Sequence, residues 1–554
     1  MALVRKELSF IVRKALQDTF GINEDFEPEL EIPSIAQHGD YATNAAMVLA
    51  RSLKKNPKEI AEKLKEPITS LGSNILDRLE IAGPGFINFF VRKEAFKQVI
   101  PMIFEQRENF GRTDIGKGQF VQVEFVSANP TGPLHVGHGR GAAVGDALSR
   151  ILDACGYRVH REYYINDVGK QMNILGRSLY LRYLELSGKS IEFPEDHYRG
   201  DYMKELAQDF LREVGTRYID LPEEEVVPIC SKYAAQKILD GIRKDLEDFR
   251  VTYDEWFSEE RLHHEGMVEK AIDQLRSRGF IYEQDCAIWF KSSLFGDEKD
   301  RVIIRSNGAK TYFAADIAYH WNKMERGFDR IIDIWGADHH GYVPRIKAVV
   351  QALGFDSEKL NVILVQLVNL LRGGQPVAMS TRAGEFVTLR EVMDEVGVDA
   401  ARYIFLTRRS DSPLDFDLEL AKAQSSENPV YYVQYAHARI SSLLGVASER
   451  GVAIDMEKAF KHLDRLEEPQ EIQLAKILGE FPFVLRKSAE CFEPHRIPYY
   501  LHELASTFHA YYNHHRILTD DEELTQARLA LAVSIHIVLK NGLNLIGVSA
   551  PDKM

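Results

Sequence analysis

His135 and His138 stand three residues apart where an apolar run gives way to a glycine-rich segment, a placement suited to holding phosphates. Residues 124–138 read Glu-Phe-Val-Ser-Ala-Asn-Pro-Thr-Gly-Pro-Leu-His-Val-Gly-His. The run 120–126 reads as a strand, the Pro/Gly segment as a turn, and Gly137, Gly139 and Gly141 as the start of a helix. Oriented backbone N–H groups at such a helix start attract phosphate. Histidines at i and i+3 share one helix face, so both can donate to the same phosphate chain. The alternative is a plain strand-to-helix turn with two surface histidines.

Three further constellations fall where a parallel sheet would place its ligands, beyond the carboxyl ends of strands. In 335–341, Trp-Gly-Ala-Asp-His-His-Gly, Gly336 would let a flat ring approach the backbone and Asp338 could accept from ribose hydroxyls. Asp338 as a simple helix cap is the competing reading. Tyr312 and Asp316 would lie one turn apart if 311–316 is helical, and a phenol with a carboxylate can clamp a cation. A buried tyrosine beside a surface aspartate fits the local pattern as well. Residues 371–385 form a long loop holding Met379, Ser380, Thr381 and Arg382. Such a loop can close over a leaving pyrophosphate as charge develops. A flexible connector is the bland alternative.

These residues need a scaffold. Residues 1–112 read as an α+β module, with helices over 3–16 and 44–64 (restarting at Asn56-Pro57) and a strand over 81–91 after Gly-Pro-Gly. Gly111, Gly116 and Gly118 mark a linker. Across 113–370 strands at 121–126, 159–165, 330–335 and 362–368 alternate with helices, which predicts an α/β, Rossmann-like doubly wound parallel sheet. Two insertions interrupt it: a charged helical region at about 171–250, and a hairpin at about 280–310 built on 286–290 and 302–305. Residues 371–424 carry the loop and connecting helices, and 425–554 read as an all-α bundle.

Composition narrows the setting. The chain has 554 residues, too many for one core. Its net charge of −14 argues against indiscriminate nucleic-acid binding, though not against a local RNA contact. The most apolar stretch, 529–548, is interrupted by Ser534, His536, Lys540, Asn541 and Asn544, so no membrane span is expected. The N-terminus lacks a signal-peptide core. Four scattered cysteines without a Cys-x-x-Cys pair fit a reducing cytosol and offer no protein-only metal site.

Together the motifs resemble the class I aminoacyl-tRNA synthetases. His135-Val136-Gly137-His138 is similar to their HIGH signature and Met379-Ser380-Thr381-Arg382 to a degenerate KMSKS loop. Within the class the resemblance is to the bacterial-type arginyl-tRNA synthetases. It rests on Ser127-Ala128-Asn129-Pro130, on Tyr163-Tyr164-Ile165-Asn166-Asp167, on the run 431–439 (Tyr-Tyr-Val-Gln-Tyr-Ala-His-Ala-Arg), on the ending Gly547-Val548-Ser549-Ala550-Pro551, and on an N-terminal module with Gly83-Pro84-Gly85-Phe86-Ile87-Asn88. The resemblance implies activation of L-arginine by ATP, with Mg2+, and transfer to tRNA(Arg) by a cytoplasmic monomer whose helical bundle reads the anticodon. It implies that His135 and His138 bind the triphosphate, that Gly137, Gly336, Asp338 and Met379 lie near the nucleotide, and that Ser380 belongs to the mobile loop. Glu124, Asn129, Tyr312 and Asp316 would surround the amino acid, with Ser127 and His339 as further candidates. Phe86 and Asn88 would meet the tRNA elbow, and Tyr435 and Met554 the anticodon. Tyr511 and Tyr512 read better as aromatic core.

One departure stands out. Ala378 and Thr381 occupy positions where the full signature carries lysines, and Gly132 stands where some relatives place a compensating lysine. Arg382 or Lys170 is expected to supply the missing charge. Other readings are a cysteinyl-type synthetase, which would want a zinc site, a short nucleotidyltransferase, which needs no helical bundle, and a catalytically dead tRNA-binding relative.

Overall fold

The structure, a computed structural model, describes residues 3–22, 25–377 and 386–554. In the N-terminal module, helix Val4–Phe20 ends at Gly21, whose φ of 67° lets its N–H return to the Gln17 carbonyl. The expected restart is present: the Asn56 side chain accepts from the Lys58 N–H and Pro57 opens helix Pro57–Leu71. The single strand expected over 81–91 is instead a hairpin. Strands β1 (Tyr41–Thr43), β2 (Leu76–Ala82) and β3 (Phe86–Val91) form an antiparallel sheet ordered β1-β3-β2. Gly83 and Gly85 turn the chain between β2 and β3 with φ of 52° and 135°. A Cβ at Gly85 would stand 2.9 Å from the Pro57 backbone, so this turn accepts only glycine.

The central sheet has five strands, all parallel. β4 (Phe120–Glu124), β5 (Arg158–Ile165), β6 (Glu255–Ser258), β10 (Arg330–Gly336) and β11 (Leu360–Val365) lie in the order β11-β10-β4-β5-β6. This is the doubly wound arrangement, with its switch point beside β4. Helix Val136–Ala154 carries the chain from β4 to β5. It packs closely because Gly145 faces Phe125, where a Cβ would stand 2.2 Å from the ring.

The insertion between β5 and β6 is helical, as expected, over Lys170–Leu186, Asp201–Val214 and Glu223–Asp248. The second insertion is a three-stranded antiparallel sheet, β7 (Ile281–Gln284), β8 (Ala287–Phe290) and β9 (Arg301–Ile304), not a simple hairpin. The run 362–368 divides because the chain leaves the sheet after Val365, exposing Leu367 at 73%. It re-forms as β12 (Val368–Arg372), flanked by β13 (Gln375–Pro376) and β14 (Leu414–Asp417). β14 interrupts the all-helical reading after residue 389.

Helices Pro429–Glu449, Pro469–Cys491, Arg496–His514 and Glu522–Leu545 form the C-terminal bundle. Fully buried Arg402 ties it to the catalytic part: it pairs with Asp146 and donates to the carbonyls of Phe249 (2.8 Å) and Ile546 (3.0 Å). Arg5 and Tyr41 of the N-terminal module meet Glu480 of the bundle at 2.7 and 2.6 Å. A cleft of about 830 Å³ opens beside that contact, away from the residues that could do chemistry.

Candidate active site

The two histidines are fixed by the backbone they cap. His135 is the N-cap of helix Val136–Ala154, and its Nδ1 accepts from the Gly137 N–H at 3.1 Å. The His135 N–H in turn donates to His138 Nδ1 at 3.3 Å, and the rings stack with centroids 3.7 Å apart. A backbone N–H can only donate, so both Nδ1 atoms are lone pairs and each neutral ring carries its hydrogen on Nε2. Burial lowers the pKa of both rings, and His138, also repelled by His135, falls to about 3. Near neutral pH the pair therefore presents two uncharged N–H donors at a helix N-terminus.

The chain returns to this point after the long loop. Val136 donates to the Val387 carbonyl (3.1 Å), Leu389 to the Leu134 carbonyl (2.8 Å), and the Phe386 ring lies edge-on to His135 at 5.9 Å. On the other side, Val377 is anchored to the Leu370 carbonyl at 2.9 Å. Met379, Ser380 and Arg382 lie between these anchors in sequence and outside the described residues. Gly132 is covered by the helical insertion: the Tyr202 hydroxyl donates to the Thr131 carbonyl at 2.8 Å and would stand 3.4 Å from a Cβ at Gly132.

Beyond β4 the backbone turns through two consecutive non-glycine residues with positive φ, Val126 at 70° and Ser127 at 42°. That conformation costs roughly 1–3 kcal/mol per residue and persists only where its surroundings enforce it. Here it swings the Ser127 hydroxyl onto Glu124 Oε1 (2.7 Å), while Ser127 Oγ itself accepts from the Tyr164 N–H (3.1 Å). The other Glu124 oxygen pairs with the fully buried ammonium of Lys323, which also reaches Asp333 at 2.6 Å. Burial works against the Lys323 charge, but Asp333, Glu124 and Glu162 outweigh it and hold the ammonium protonated. Burial raises the Glu124 carboxyl, an effect the same ammonium partly offsets. Asp333 is shared further: its second oxygen bonds His320 Nε2 at 3.1 Å, while His320 Nδ1 faces the Asp316 carbonyl at 2.8 Å.

Further carboxyls line the neighbouring strand ends. Tyr312, 53% exposed, opens helix Tyr312–Glu325, and Asp316 sits one turn along it, accepting from the Tyr342 hydroxyl. Burial raises the Asp316 pKa. Glu259, just past β6 and 5% exposed, is pushed up to about 7 by burial, with Asp316 and Asp167 adding repulsion. Asn129 donates to Gln171 at 2.7 Å, and a Cβ at Gly169 would lie 3.6 Å from the Tyr312 ring. The start of helix Lys170–Leu186 thus stands between Asn129 and Tyr312, with Lys170 exposed at its first position.

Past β10 the chain forms a short 3-10 helix, Ala337–Tyr342, in which Gly336 and not Asp338 occupies the cap position. Asp338 and His339 are exposed and 3.6 Å apart. The Trp335 ring lies 6.4 Å from His339 and 6.2 Å from Tyr342, linking this edge to Asp316.

The residues expected to meet RNA are spread over both ends of the chain. Phe86 is partly exposed at the start of β3, but Asn88 is 4% exposed because β3 is the central strand, paired to Ala42 and Glu80 on its two sides. Asn88 thus lies beneath the more exposed Phe86 on the same strand. In the bundle Tyr435 is 36% exposed and Met554 52%. Tyr431 stacks on Tyr435 at 5.9 Å, and Arg439 lies 4.8 Å over both Tyr435 and Tyr512. Tyr511 is core, donating to buried Glu471 at 3.0 Å. Sequence reasoning missed Lys323, Glu259 and Tyr342, none of which belongs to a recognisable spacing.

Three sequence families match the chain. Residues 6–91 match the family described as Arginyl tRNA synthetase N terminal domain, residues 99–470 tRNA synthetases class I (R), catalytic domain, and residues 433–554 the DALR anticodon binding domain. With the strand order and the histidine-capped helix, the catalytic match defines a class I aminoacyl-tRNA synthetase. Full-length relatives narrow this further. The arginine–tRNA ligase of Desulfosudis oleivorans is 56% identical over 95% of both chains, and that of Syntrophotalea carbinolica 54% identical over 100% of both. The chain belongs to the arginyl-tRNA synthetases. The fold is that of the Thermus thermophilus arginyl-tRNA synthetase, matched over 100% of both chains with a TM-score of 0.78 at 24% identity.

Proposed function

We propose that the carboxyl ends of the parallel strands form one continuous site for arginine activation, in which an acidic basin faces a pair of neutral histidine donors. The arginine carboxylate attacks the α-phosphorus of ATP and pyrophosphate leaves. A ribose hydroxyl of the 3′-terminal adenosine of tRNA(Arg) then attacks the carbonyl of arginyl-adenylate, and AMP leaves. Neither step needs a protein nucleophile, so the protein contributes position and charge stabilisation.

The observation that carries this reading is the cluster of carboxyls at the strand ends. Glu124 and Asp333 share Lys323, with His320 as a second partner of Asp333, while burial raises the carboxyls of Asp316 and Glu259. A guanidinium offers five donors in a planar fork and suits such a basin. In this reading Tyr312, Asp316 and Glu259 face the guanidinium, while Asn129, Ser127 and Glu124 orient the α-amino end beside the attacking carboxylate. His339 closes the edge between the two substrates. The Nε2–H groups of His135 and His138 donate to the triphosphate, with Gly137, Gly336, Asp338 and Met379 beside the nucleotide. Mg2+ arrives on the ATP phosphates, as a hard cation that keeps oxygen ligands.

Ser380 and Arg382 belong to the loop that closes over the leaving pyrophosphate, and Arg382 or Lys170 supplies the charge that Ala378, Thr381 and Gly132 do not. Phe86 stacks at the tRNA elbow, and Tyr435 with Met554 contacts the anticodon. The protein works in the cytoplasm as a monomer; among the described residues no helix is long and apolar enough to cross a membrane.

Citrulline tests the reading, since it replaces the charged guanidinium by a neutral urea of nearly the same shape. If the basin selects charge, citrulline-dependent ATP–pyrophosphate exchange falls at least ~100-fold below that with arginine. Comparable rates with the two amino acids would remove the basis of the assignment.

A further inference from the structure

His437 and Ser441 lie one turn apart on helix Pro429–Glu449, and His536 faces them from helix Glu522–Leu545. The last residues of the chain close over the pair. His437, 1% exposed, bonds through Nδ1 to the Pro551 carbonyl at 2.9 Å. A carbonyl only accepts, so Nδ1 carries the hydrogen and Nε2 is left as a lone pair. That Nε2 is buried without a hydrogen-bond partner, a situation buried polar atoms rarely tolerate. The His536 ring stacks on His437 at 3.7 Å, and its Nε2 lies 2.9 Å from the Ser441 hydroxyl and 3.8 Å from Asp552 Oδ1. One ligand atom from each of His437, His536 and Asp552 lies within 4.8 Å of the others.

Two imidazole nitrogens with one carboxylate oxygen suit borderline transition metals such as Zn2+, and are poor for Mg2+ or Ca2+. A histidine whose second nitrogen donates to a backbone carbonyl is already oriented as a metal ligand. Burial lowers the pKa of both rings, His536 to about 4, so protons do not compete for the lone pairs at neutral pH. Metal–nitrogen bonds of ~2.0–2.1 Å bring tetrahedral ligands ~3.4 Å apart, so the three groups must close by roughly 1 Å. Asp552, with its side chain 77% exposed, and the tilting His536 ring have that freedom. Among the described residues the other such group, His160 with Glu162 and Glu255, differs in kind: Arg326 already contacts both carboxylates, at 2.5 and 3.0 Å.

We propose that His437, His536 and Asp552 form a binding site for one divalent transition metal of the zinc class, water completing the tetrahedron, which fastens the C-terminal tail across two helices of the bundle. The full chain, stripped with a chelator and free of tRNA and nucleotide, is titrated with Co2+ followed by visible absorption, and Co2+ is then displaced with Zn2+. One equivalent binds, and His536→Asn and Asp552→Asn each weaken binding at least tenfold while retaining wild-type circular dichroism; both side chains reach the surface, so both variants fold. No saturable binding below about 1 mM, or an affinity that either variant leaves within tenfold of wild type, overturns the proposal.

Discussion

Asp316→Asn isolates the charge on which the account rests. The Tyr342 hydroxyl donates to Asp316, and an asparagine oxygen accepts that bond equally well, so the side chain keeps its place. What changes is the charge and one acceptor, which becomes an NH2 group facing guanidinium donors. Hydrogen bonds to charged groups contribute about 1.5–3 kcal/mol. At ~1.4 kcal/mol per factor of ten, kcat/KM for arginine should fall ~10- to 150-fold. Because burial already raises the Asp316 pKa, neutralising it removes a strained charge and should leave thermal stability unchanged or slightly higher. The assay is steady-state ATP–pyrophosphate exchange with arginine and ATP varied separately. KM for ATP should stay within about twofold, since the histidine pair is untouched. A loss in kcat/KM for arginine of less than threefold would refute the reasoning, as would an equal loss for ATP.

Two other predictions concern charge. Glu259 titrates at about 7 in the free protein, so below that pH it is protonated and the basin loses a carboxylate. The acidic limb of the kcat/KM profile for arginine should therefore bend near 7, with activity rising as pH increases, and Glu259→Gln should abolish the bend; a limb that survives the substitution excludes Glu259. On stability the sign is opposite: with a folded pKa above the unfolded one, the free protein binds protons more tightly when folded and gains stability as pH falls from 7 towards 4.5. Alanine at Lys170 or at Arg382 should cut adenylate formation at least ~10-fold for whichever supplies the loop charge; if neither does, the missing lysines are compensated elsewhere.

Residues whose chemistry depends on neighbours in sequence were legible before the fold was known. His135, Gly137 and His138 form a helix cap, and Tyr312 with Asp316 a single helical turn, so spacing marked them as candidates while the family resemblance supplied their roles. Lys323 was not legible: it sits in an ordinary helical run, and one of its partners, Glu124, is brought to it only by the pairing of β4 with β10. Glu259 is likewise set by burial, with Asp316 and Asp167 brought near it by tertiary packing. The missed strands β1, β6 and β14 have three or four residues each, too short to show alternation. The burial of Asn88 was not legible, because its loop-like Gly-Pro-Gly approach leads into a central strand flanked on both sides. The left-handed turn at Val126 and Ser127 runs against residue preference and is imposed by the surroundings, so no propensity could announce it.

Arginine activation is the central claim, and the missing loop lysines add the expectation that bound tRNA completes the site. Arginine-dependent ATP–pyrophosphate exchange, run with and without tRNA carrying an arginine anticodon, tests it most directly. A site whose loop lacks both lysines, and whose residues come from several strand ends, helix Tyr312–Glu325 and an insertion, should exchange only when tRNA is bound. Exchange at the same rate without tRNA would contradict a tRNA-ordered site, and no exchange under either condition, with tRNA still bound, would contradict arginine activation itself.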